Sequence, residues 1–97
     1  MKTKEQIQDE LFDAVQMMAE YWAETKLRPE HDTVRHRMDG LVHSIFCIFD
    51  GVSASMPGFK VMVDSASMDE DSNEYPKDLD IAGDLHEGYD SRYAVNS

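Results

Sequence analysis

Hydrophobic residues recur at three- and four-residue steps through the first quarter of the chain, and the positions between them are mostly acids and glutamines. The apolar set comprises Ile7, Leu11, Val15, Met18 and Trp22. This spacing places the apolar side chains on one face of an amphipathic helix. Thr3 and Gln6 have the spacing of a capping box, and Pro29 cannot continue a helix. The pattern therefore predicts a first helix over residues 4–25.

A second apolar stripe follows with the same spacing. Its members are Val34, Met38, Leu41, Ile45 and Ile48. The helix that it predicts begins near Pro29–Thr33 and ends at Asp50-Gly51, where glycine can adopt the left-handed cap conformation. Because the two stripes match, we expect the helices to pack as an antiparallel hairpin, with the polar face that contains Asp39 exposed to solvent.

The pattern changes after the second helix. Pro57-Gly58 is a turn signal, and the alternation over Phe59–Val63 predicts a short half-buried strand. A lone strand leaves its amides unpaired, so we expect it to pair with Val52–Met56 or with another chain.

The remainder of the chain is polar. Residues 64–78 are acidic and aperiodic, which predicts a flexible loop. Asp80 can cap a short helix that ends at Gly88 and docks through Ile81, Leu85 and Tyr89. We expect a frayed tail over 92–97. The predicted fold is α+β: one small domain over 1–97, with the helical hairpin packed against a short strand or hairpin and a short C-terminal helix.

Charge narrows the possible functions. The chain has a formal net charge of -11, and residues 51–97 contain ten acids against three bases. Such a balance disfavours direct nucleic-acid binding and favours a partner protein with a basic surface. The carboxylates expected to meet this partner cluster in the loop and last helix: Asp69, Glu70, Asp71, Glu74, Asp78, Asp84 and Glu87.

Compartment and membrane signals are few. The chain has one cysteine, Cys47, and neither a signal peptide nor an apolar run long enough to span a membrane is evident. We therefore expect a cytoplasmic protein. Cys47 lies between apolar neighbours, where a thiol is usually inert, and we predict no catalytic residue, no cofactor and a non-enzymatic role.

Two sets of residues resemble metal ligands. One lies on the second helix and comprises Asp32, His36, Asp39, His43 and Asp50; the other comprises Asp78, Asp80, Asp84, His86 and Glu87. A solvated polar face explains the first set equally simply, and a helix cap with an exposed helix side explains the second. His36 and His43 should lie about 10 Å apart along the helix axis, too far for one ion. The second set matches neither an EF-hand loop nor an HExxH motif, and we expect no bound metal.

A basic corner joins the two helices. It contains Lys26, Arg28, Arg35 and Arg37, with Tyr21 and Trp22 one turn upstream. Together with the amino end of the second helix, these residues could bind a nucleotide or another phosphate. The alternative is that Lys26 and Arg28 offset the carboxyl end of the first helix, while Arg35 pairs with Asp32 or Asp39.

Three further segments, RMDGLVHSIFCIFDG, MPGF and DLDIAGDLHEGY, carry a resemblance. The chain resembles a family of short uncharacterised proteins found in phages and prophages. The resemblance covers about half of the chain and omits the first helix. It implies a phage or mobile-element context and brings no catalytic residue.

These observations lead to two hypotheses. The first is a small acidic interaction protein that inhibits a host nucleic-acid-handling or defence complex. The alternative is a small-ligand binder that uses the basic corner, and a hydrolase using the second metal-like set ranks last. We also expect a homodimer with Phe46 and the Phe59–Val63 edge at its interface, because both are apolar without an evident partner.

Overall fold

The computed structural model describes residues 1–53, 56–67, 75–76 and 78–93. Its elements, in chain order, are the helix α1 (Lys4–Glu24), a short 3-10 helix (Pro29–His31), the helix α2 (Val34–Asp50), a second 3-10 helix (Ser65–Ser67) and the helix α3 (Leu85–Arg92). The helix α2 is the central element and packs against both α1 and α3.

The helix α1 begins at the predicted capping box. The hydroxyl of Thr3 accepts a hydrogen bond from the amide of Gln6 at 3.2 Å, and the Gln6 side chain accepts one from the amide of Thr3 at 2.8 Å. These bonds satisfy two of the amides that a helix leaves without partners at its start. The first predicted helix is therefore confirmed to within one residue at its end.

Residues adjacent in sequence also set both ends of the helix α2. Thr33 caps its start by accepting from the amide of His36 at 3.0 Å. Gly51, at φ 81°, closes its end, and the Gly51 amide donates back to the carbonyls of Cys47 and Ile48. Only glycine adopts this conformation without strain, so the predicted stop at Asp50-Gly51 is confirmed.

A tryptophan fixes the hairpin between α1 and α2. The ring of Trp22 lies so close to Gly40 that a Cβ atom there would stand 2.6 Å from the ring atoms. The Trp22 indole donates to the hydroxyl of Ser44 at 2.9 Å. Arg37, near the start of α2, donates to backbone carbonyls of Trp22 and Thr25 at the end of α1. The two helices are therefore antiparallel, as predicted.

The orientation of α2 differs from the expectation. Asp39, expected on a solvated face, is 7% exposed, whereas Val34 and Met38 of the apolar stripe are 73% and 56% exposed. The prediction was wrong because α3 covers the polar side of α2. The apolar stripe therefore meets α1 along one edge only.

The hydrophobic core is small. Among the described residues, Ala14 and Ile48 are the buried apolar side chains. The Cα radius of gyration is 16.2 Å, against about 12.5 Å for a compact chain of this length. The chain is thus less compact than usual for its length, and many large apolar side chains of the described residues are exposed.

No β-strand occurs among the described residues, so the structure is all-α and the predicted α+β class is wrong. The amides of Phe59–Val63 find other acceptors: Phe59 donates to the carbonyl of Phe49, and Val61 donates to the carboxylate of Asp80, both at 2.8 Å. These single bonds replace a strand ladder. Positions 54 and 55 of the expected partner strand lie outside the described residues.

The third helix also differs from its prediction. It begins at Leu85 and continues past Gly88 to Arg92, so Gly88 does not end it. Asp80 accepts from the amides of Val61 and Ala82 and does not cap the helix. The Ile81 side chain is half exposed, and the Ile81 amide donates to the carbonyl of Val61 at 2.8 Å. In the described part of the chain, no helix is both long enough and apolar enough to cross a membrane.

Buried and exposed residues of the apolar stripe of α2 should differ in their contribution to the free energy of unfolding. Ile48→Ala removes a side chain that is 1% exposed and should lower the free energy of unfolding by about 2–5 kcal/mol. Val34→Ala, in the same stripe but at an exposed position, should cost less than about 0.5 kcal/mol. Urea denaturation followed by circular dichroism measures both, and equal losses would contradict the observed orientation of α2.

Candidate functional site

The amino end of α3 is held by a residue from another helix. The Asp50 side chain, at the end of α2, is fully buried. Its carboxylate accepts hydrogen bonds from the amides of Gly83 at 2.7 Å and His86 at 2.9 Å. Asp84 occupies the capping position of α3, but its side chain makes no capping bond. Asp50 therefore provides the cap that the local sequence does not.

A histidine completes the environment of this carboxylate. His86 Nδ1 lies 2.6 Å from Asp50 Oδ2. Burial alone would raise the pKa of Asp50, but hydrogen bonds from the His86 side chain and from the amides of His86, Gly83 and Leu85 outweigh it and lower the pKa to about 2. Asp50 is therefore a carboxylate at neutral pH, and His86 donates its Nδ1 proton to it.

The contact between α2 and α3 continues as a row of polar pairs. Asp39 accepts from the Arg35 guanidinium at 3.0 Å and from the Tyr89 hydroxyl at 3.3 Å. His43 Nδ1 lies 2.5 Å from Asp90 Oδ2, but the two atoms are not aligned for a hydrogen bond. We call this set, Asp39, His43 and Asp50 with His86, Tyr89 and Asp90, the α2–α3 interface.

Aromatic contacts support the α2–α3 interface. The Phe46 and Tyr89 rings lie 5.6 Å apart, as centroids, and the His43 and His86 rings lie 5.7 Å apart. Phe46 was expected to point away from the core and to meet a second copy. The third helix covers it instead, so the reason for placing Phe46 at a dimer interface is removed.

Cys47 is the one nucleophile candidate near this interface. Its sulfur lies 3.4 Å from His43 Nε2, and His43 in turn lies beside Asp90. This order of groups resembles a cysteine–histidine–acid relay, without a hydrogen bond from His43 Nδ1 to Asp90. However, burial, followed by the charges of Asp50 and Asp90, raises the pKa of the Cys47 thiol. The thiolate is the reactive form, so the surroundings disfavour nucleophilic chemistry.

The structure disperses the first set of metal-ligand candidates. Asp32 pairs with Arg37, the His36 ring stacks near His31, and Asp39, His43 and Asp50 each have a different partner in the α2–α3 interface. Within the described ranges, no group of three or more metal-binding side chains could hold an ion.

The second set of candidates is also divided. Hydrogen bonds from the amides of Val61 and Ala82 lower the pKa of Asp80. His86 turns towards Asp50, and Glu87 lies 3.8 Å from the other ring nitrogen of His86. Asp80 thus fastens the Val61 segment to the segment before α3, which is a structural role.

The basic corner does not form a single site. Arg37 is held by Asp32 and by two backbone carbonyls of α1. Arg35 turns to the other side of α2, where it meets Asp39 and the backbone carbonyl of Tyr93. Lys26 and Arg28 remain exposed. Two residues apart on a helix, Arg35 and Arg37 cannot share one ligand.

The aromatic residues of this corner separate as well. Tyr21 is 55% exposed. Its ring meets the Trp22 ring edge to face, with the ring centroids 5.2 Å apart. Trp22 is turned into the hairpin against Gly40 and Ser44. The predicted ligand site therefore offers neither a set of converging cations nor an aromatic surface beside them.

Of the predicted acidic partner surface, Asp78, Asp84 and Glu87 are exposed. The residues Asp69, Glu70, Asp71 and Glu74 lie outside the described residues. A second acidic surface was not predicted. It lies on α1 and consists of exposed carboxylates at helical steps of four or seven: Glu5, Asp9, Asp13, Glu20 and Glu24. We call it the acidic face of α1.

An apolar groove opens between α1 and α2. Its volume is about 290 Å³ and its lining is almost wholly apolar. The lining residues are Ala19, Trp22, Ala23, Val34, Arg37, Met38 and Leu41. We call it the hairpin groove, and the exposed sides of Val34 and Met38 form its α2 wall.

Sequence reasoning missed three contributors to the α2–α3 interface. Asp90 and its pairing with His43 were not predicted, nor was the hydrogen bond from Tyr89 to Asp39. Asp50 was interpreted as part of a helix stop and as a metal candidate. One signal was present: Asp50 ends α2 without a basic neighbour, which is unfavourable beside the negative end of a helix dipole unless a partner compensates.

Comparisons with known proteins found no match among family models, curated proteins or solved structures. What the phage-protein resemblance implies therefore stays a prediction.

Removing the Asp50 cap should loosen α3 selectively. Asp50→Ala leaves the amides of Gly83 and His86 without their acceptor and should cost about 1–3 kcal/mol of unfolding free energy. Asp84→Ala is the matched control, because Asp84 makes no capping bond, and it should cost less than about 0.5 kcal/mol. Guanidinium denaturation compares the two, and the reverse order would show that α3 is capped locally.

Asp50 should also make the free energy of unfolding depend on pH in the acidic range. Its pKa in the folded protein, about 2, is below its ordinary value of 3.8, so its stabilising contribution is complete above about pH 4 and is lost as the pH falls towards 2. The unfolding free energy of the native chain should therefore decline over this interval more steeply than that of Asp50→Asn. Parallel pH profiles of the two proteins would contradict the assignment.

Proposed function

We propose that this chain is an interaction protein that binds a basic surface of another protein through the acidic face of α1. The observation that carries the proposal is the grouping of five exposed carboxylates on one side of a helix. Glu5 and Glu24 bound this face, which spans about 28 Å at the helical rise of about 1.5 Å per residue. Among the described residues, no lysine or arginine forms an ion pair with it.

Apolar side chains border the same face and add contact area that charge alone does not provide. Met17 and Tyr21, one turn apart along the edge of the acidic face, are 59% and 55% exposed. An exposed tyrosine and methionine beside charged residues have the composition of a protein interface, in which aromatic anchors contribute most of the affinity. The combination supports a protein partner more than a purely electrostatic one.

The charge pattern favours one kind of partner surface. Carboxylates on a rigid helix attract lysine- and arginine-rich surfaces, and such attraction steers association and weakens with salt. Surfaces that bind nucleic acid have this composition. If the acidic face of α1 binds such a surface, it competes with the phosphates of the nucleic acid. This supports a role as an inhibitor of a nucleic-acid-handling complex. Exposed Asp78 and Glu87 add to the same negative field.

The alternative, a phosphate or nucleotide binder, receives less support. It requires Arg35 and Arg37 to converge, but each is already held by carboxylates and backbone carbonyls on opposite sides of α2. Only Lys26 and Arg28 of the predicted set have no such role within the described chain.

The test compares two variants of equal charge. One neutralises the acidic face of α1 by Asp13→Asn, Glu20→Gln and Glu24→Gln; the control neutralises Asp78→Asn, Asp84→Asn and Glu87→Gln. Immobilised native protein is used to retain proteins from a cell lysate, and each retained protein is eluted with a salt gradient. The proposal expects a protein that elutes with salt, is lost with the α1 variant and is kept with the control.

Three outcomes count against the proposal. Equal loss with both variants indicates general charge attraction rather than a defined face. Retention by the α1 variant places the binding surface elsewhere. Elution that does not depend on salt contradicts an electrostatic contribution.

A further inference from the structure

We propose that α3 detaches from α2 and unfolds as one unit, turning about Gly83, while the hairpin of α1 and α2 stays folded. We call the docked form the closed state and the detached form the open state. The open state uncovers the side of α2 that bears His43 and Phe46. The proposal is independent of the proposed function, because the hydrogen bonds described for α3 involve none of the carboxylates of the acidic face of α1.

The contact of α3 with α2 is largely polar. No residue of α3 is buried. Its hydrogen bonds to α2 run from Tyr89 to Asp39 and from His86 to Asp50, and the Tyr89 ring lies against Phe46. Water replaces such hydrogen bonds at a small net cost when a helix detaches. Segments that bury little apolar surface are the ones that open before the whole protein unfolds.

The hairpin of α1 and α2 has contacts of its own. The Trp22 ring packs against Gly40, and the Trp22 indole donates to the hydroxyl of Ser44. Arg37 donates to backbone carbonyls at the end of α1. None of these residues lies on α3, so the hairpin retains these contacts when α3 detaches.

The chain before α3 is anchored up to the residue that precedes Gly83. The carboxylate of Asp80 accepts from the amide of Val61, and the amide of Ile81 donates to the carbonyl of Val61, both at 2.8 Å. Gly83 itself is exposed, has a φ of 118°, and would have no atom within 4 Å of an added Cβ. A glycine in open space rotates with little steric resistance. The hinge therefore lies at Gly83.

Asp50 holds the closed state. Its carboxylate accepts from the amide of Gly83 at the hinge, and from the amide and the imidazole of His86 in the first turn of α3. Opening breaks these bonds together. The helix α3 has 8 residues, and a helix shorter than about 12 residues is marginal in water without tertiary contacts. Detachment and unfolding of α3 are therefore one step.

Hydrogen exchange of the native protein, followed by NMR, tests the proposal. The amides of residues 88–92 should share one opening equilibrium, and that equilibrium should lie at least about tenfold further towards the open state than that of the helical amides of α2. Asp50→Asn removes the charge that holds the closed state and should raise exchange of the α3 amides at least about tenfold. Asp84→Asn is the matched control, because Asp84 makes no capping bond, and it should change exchange less than about twofold.

A pair of glycine substitutions should shift the opening in opposite directions. Gly83→Ala strains the closed state, where φ is 118°, and should raise exchange of the α3 amides at least about fivefold. Gly88→Ala lies within α3, where an added Cβ meets no atom within 4 Å. Because alanine favours a helix, it should lower that exchange about fivefold. Neither substitution touches Asp50, so this test stands even if Asp50→Asn fails to fold.

Three results would overturn the inference. If the α3 amides exchange no faster than those of α2, the third helix opens only when the whole chain unfolds. If Asp50→Asn accelerates exchange at Gly83 and His86 alone, the end of α3 frays and the helix does not open as a unit. If Gly83→Ala accelerates α1 and α2 equally, the hairpin does not stay folded. None of these results bears on retention of a basic partner by the acidic face of α1, so this inference and the proposed function fail separately.

Discussion

The arrangement of the helices depends on one buried carboxylate. No residue of α3 is buried, so apolar burial alone does not hold this helix on α2. Asp50 instead extends the end of α2 to the start of α3, where two amides and an imidazole donate to it. The negative carboxylate also lies at the positive end of the α3 dipole, which stabilises both groups. The result is a cap supplied by another helix, and it fixes which side of α2 the third helix covers.

Covering that side leaves the apolar stripe of α2 divided. Ile48 is enclosed within the packed helices, while Val34 and Met38 line an open groove. The small core follows from this division, because α3 occupies the polar side of α2 and α1 covers only one edge of the apolar side. The two edges of α1 consequently differ in character: one borders the groove through Ala19 and Ala23, and the other carries carboxylates beside Met17 and Tyr21.

Local signals in the sequence were sufficient for α1 and α2. Thr3, Thr33 and Gly51 act on atoms within a few residues, and the apolar period is a property of each helix alone. The strand prediction failed because alternation in Phe59–Val63 says nothing of a partner, and the nearest acceptors were a helix carbonyl and Asp80. The polar face of α2 was assigned to solvent because the pairing of Asp50 with Gly83 and His86 spans more than thirty residues, which one sequence does not disclose. The division of Arg35 from Arg37 was predictable, since residues two apart on a helix face different ways.

An NMR titration of amide chemical shifts shows directly whether the Asp50 carboxylate caps α3. The amides of Gly83 and His86 donate to this carboxylate, so their chemical shifts should both follow its protonation. Both amides should therefore show a shared inflection near the lowered pKa of about 2, while the amides of α1 do not follow that titration. Inflections near the ordinary carboxyl value of 3.8, or shifts at these amides that do not change with pH, would contradict it.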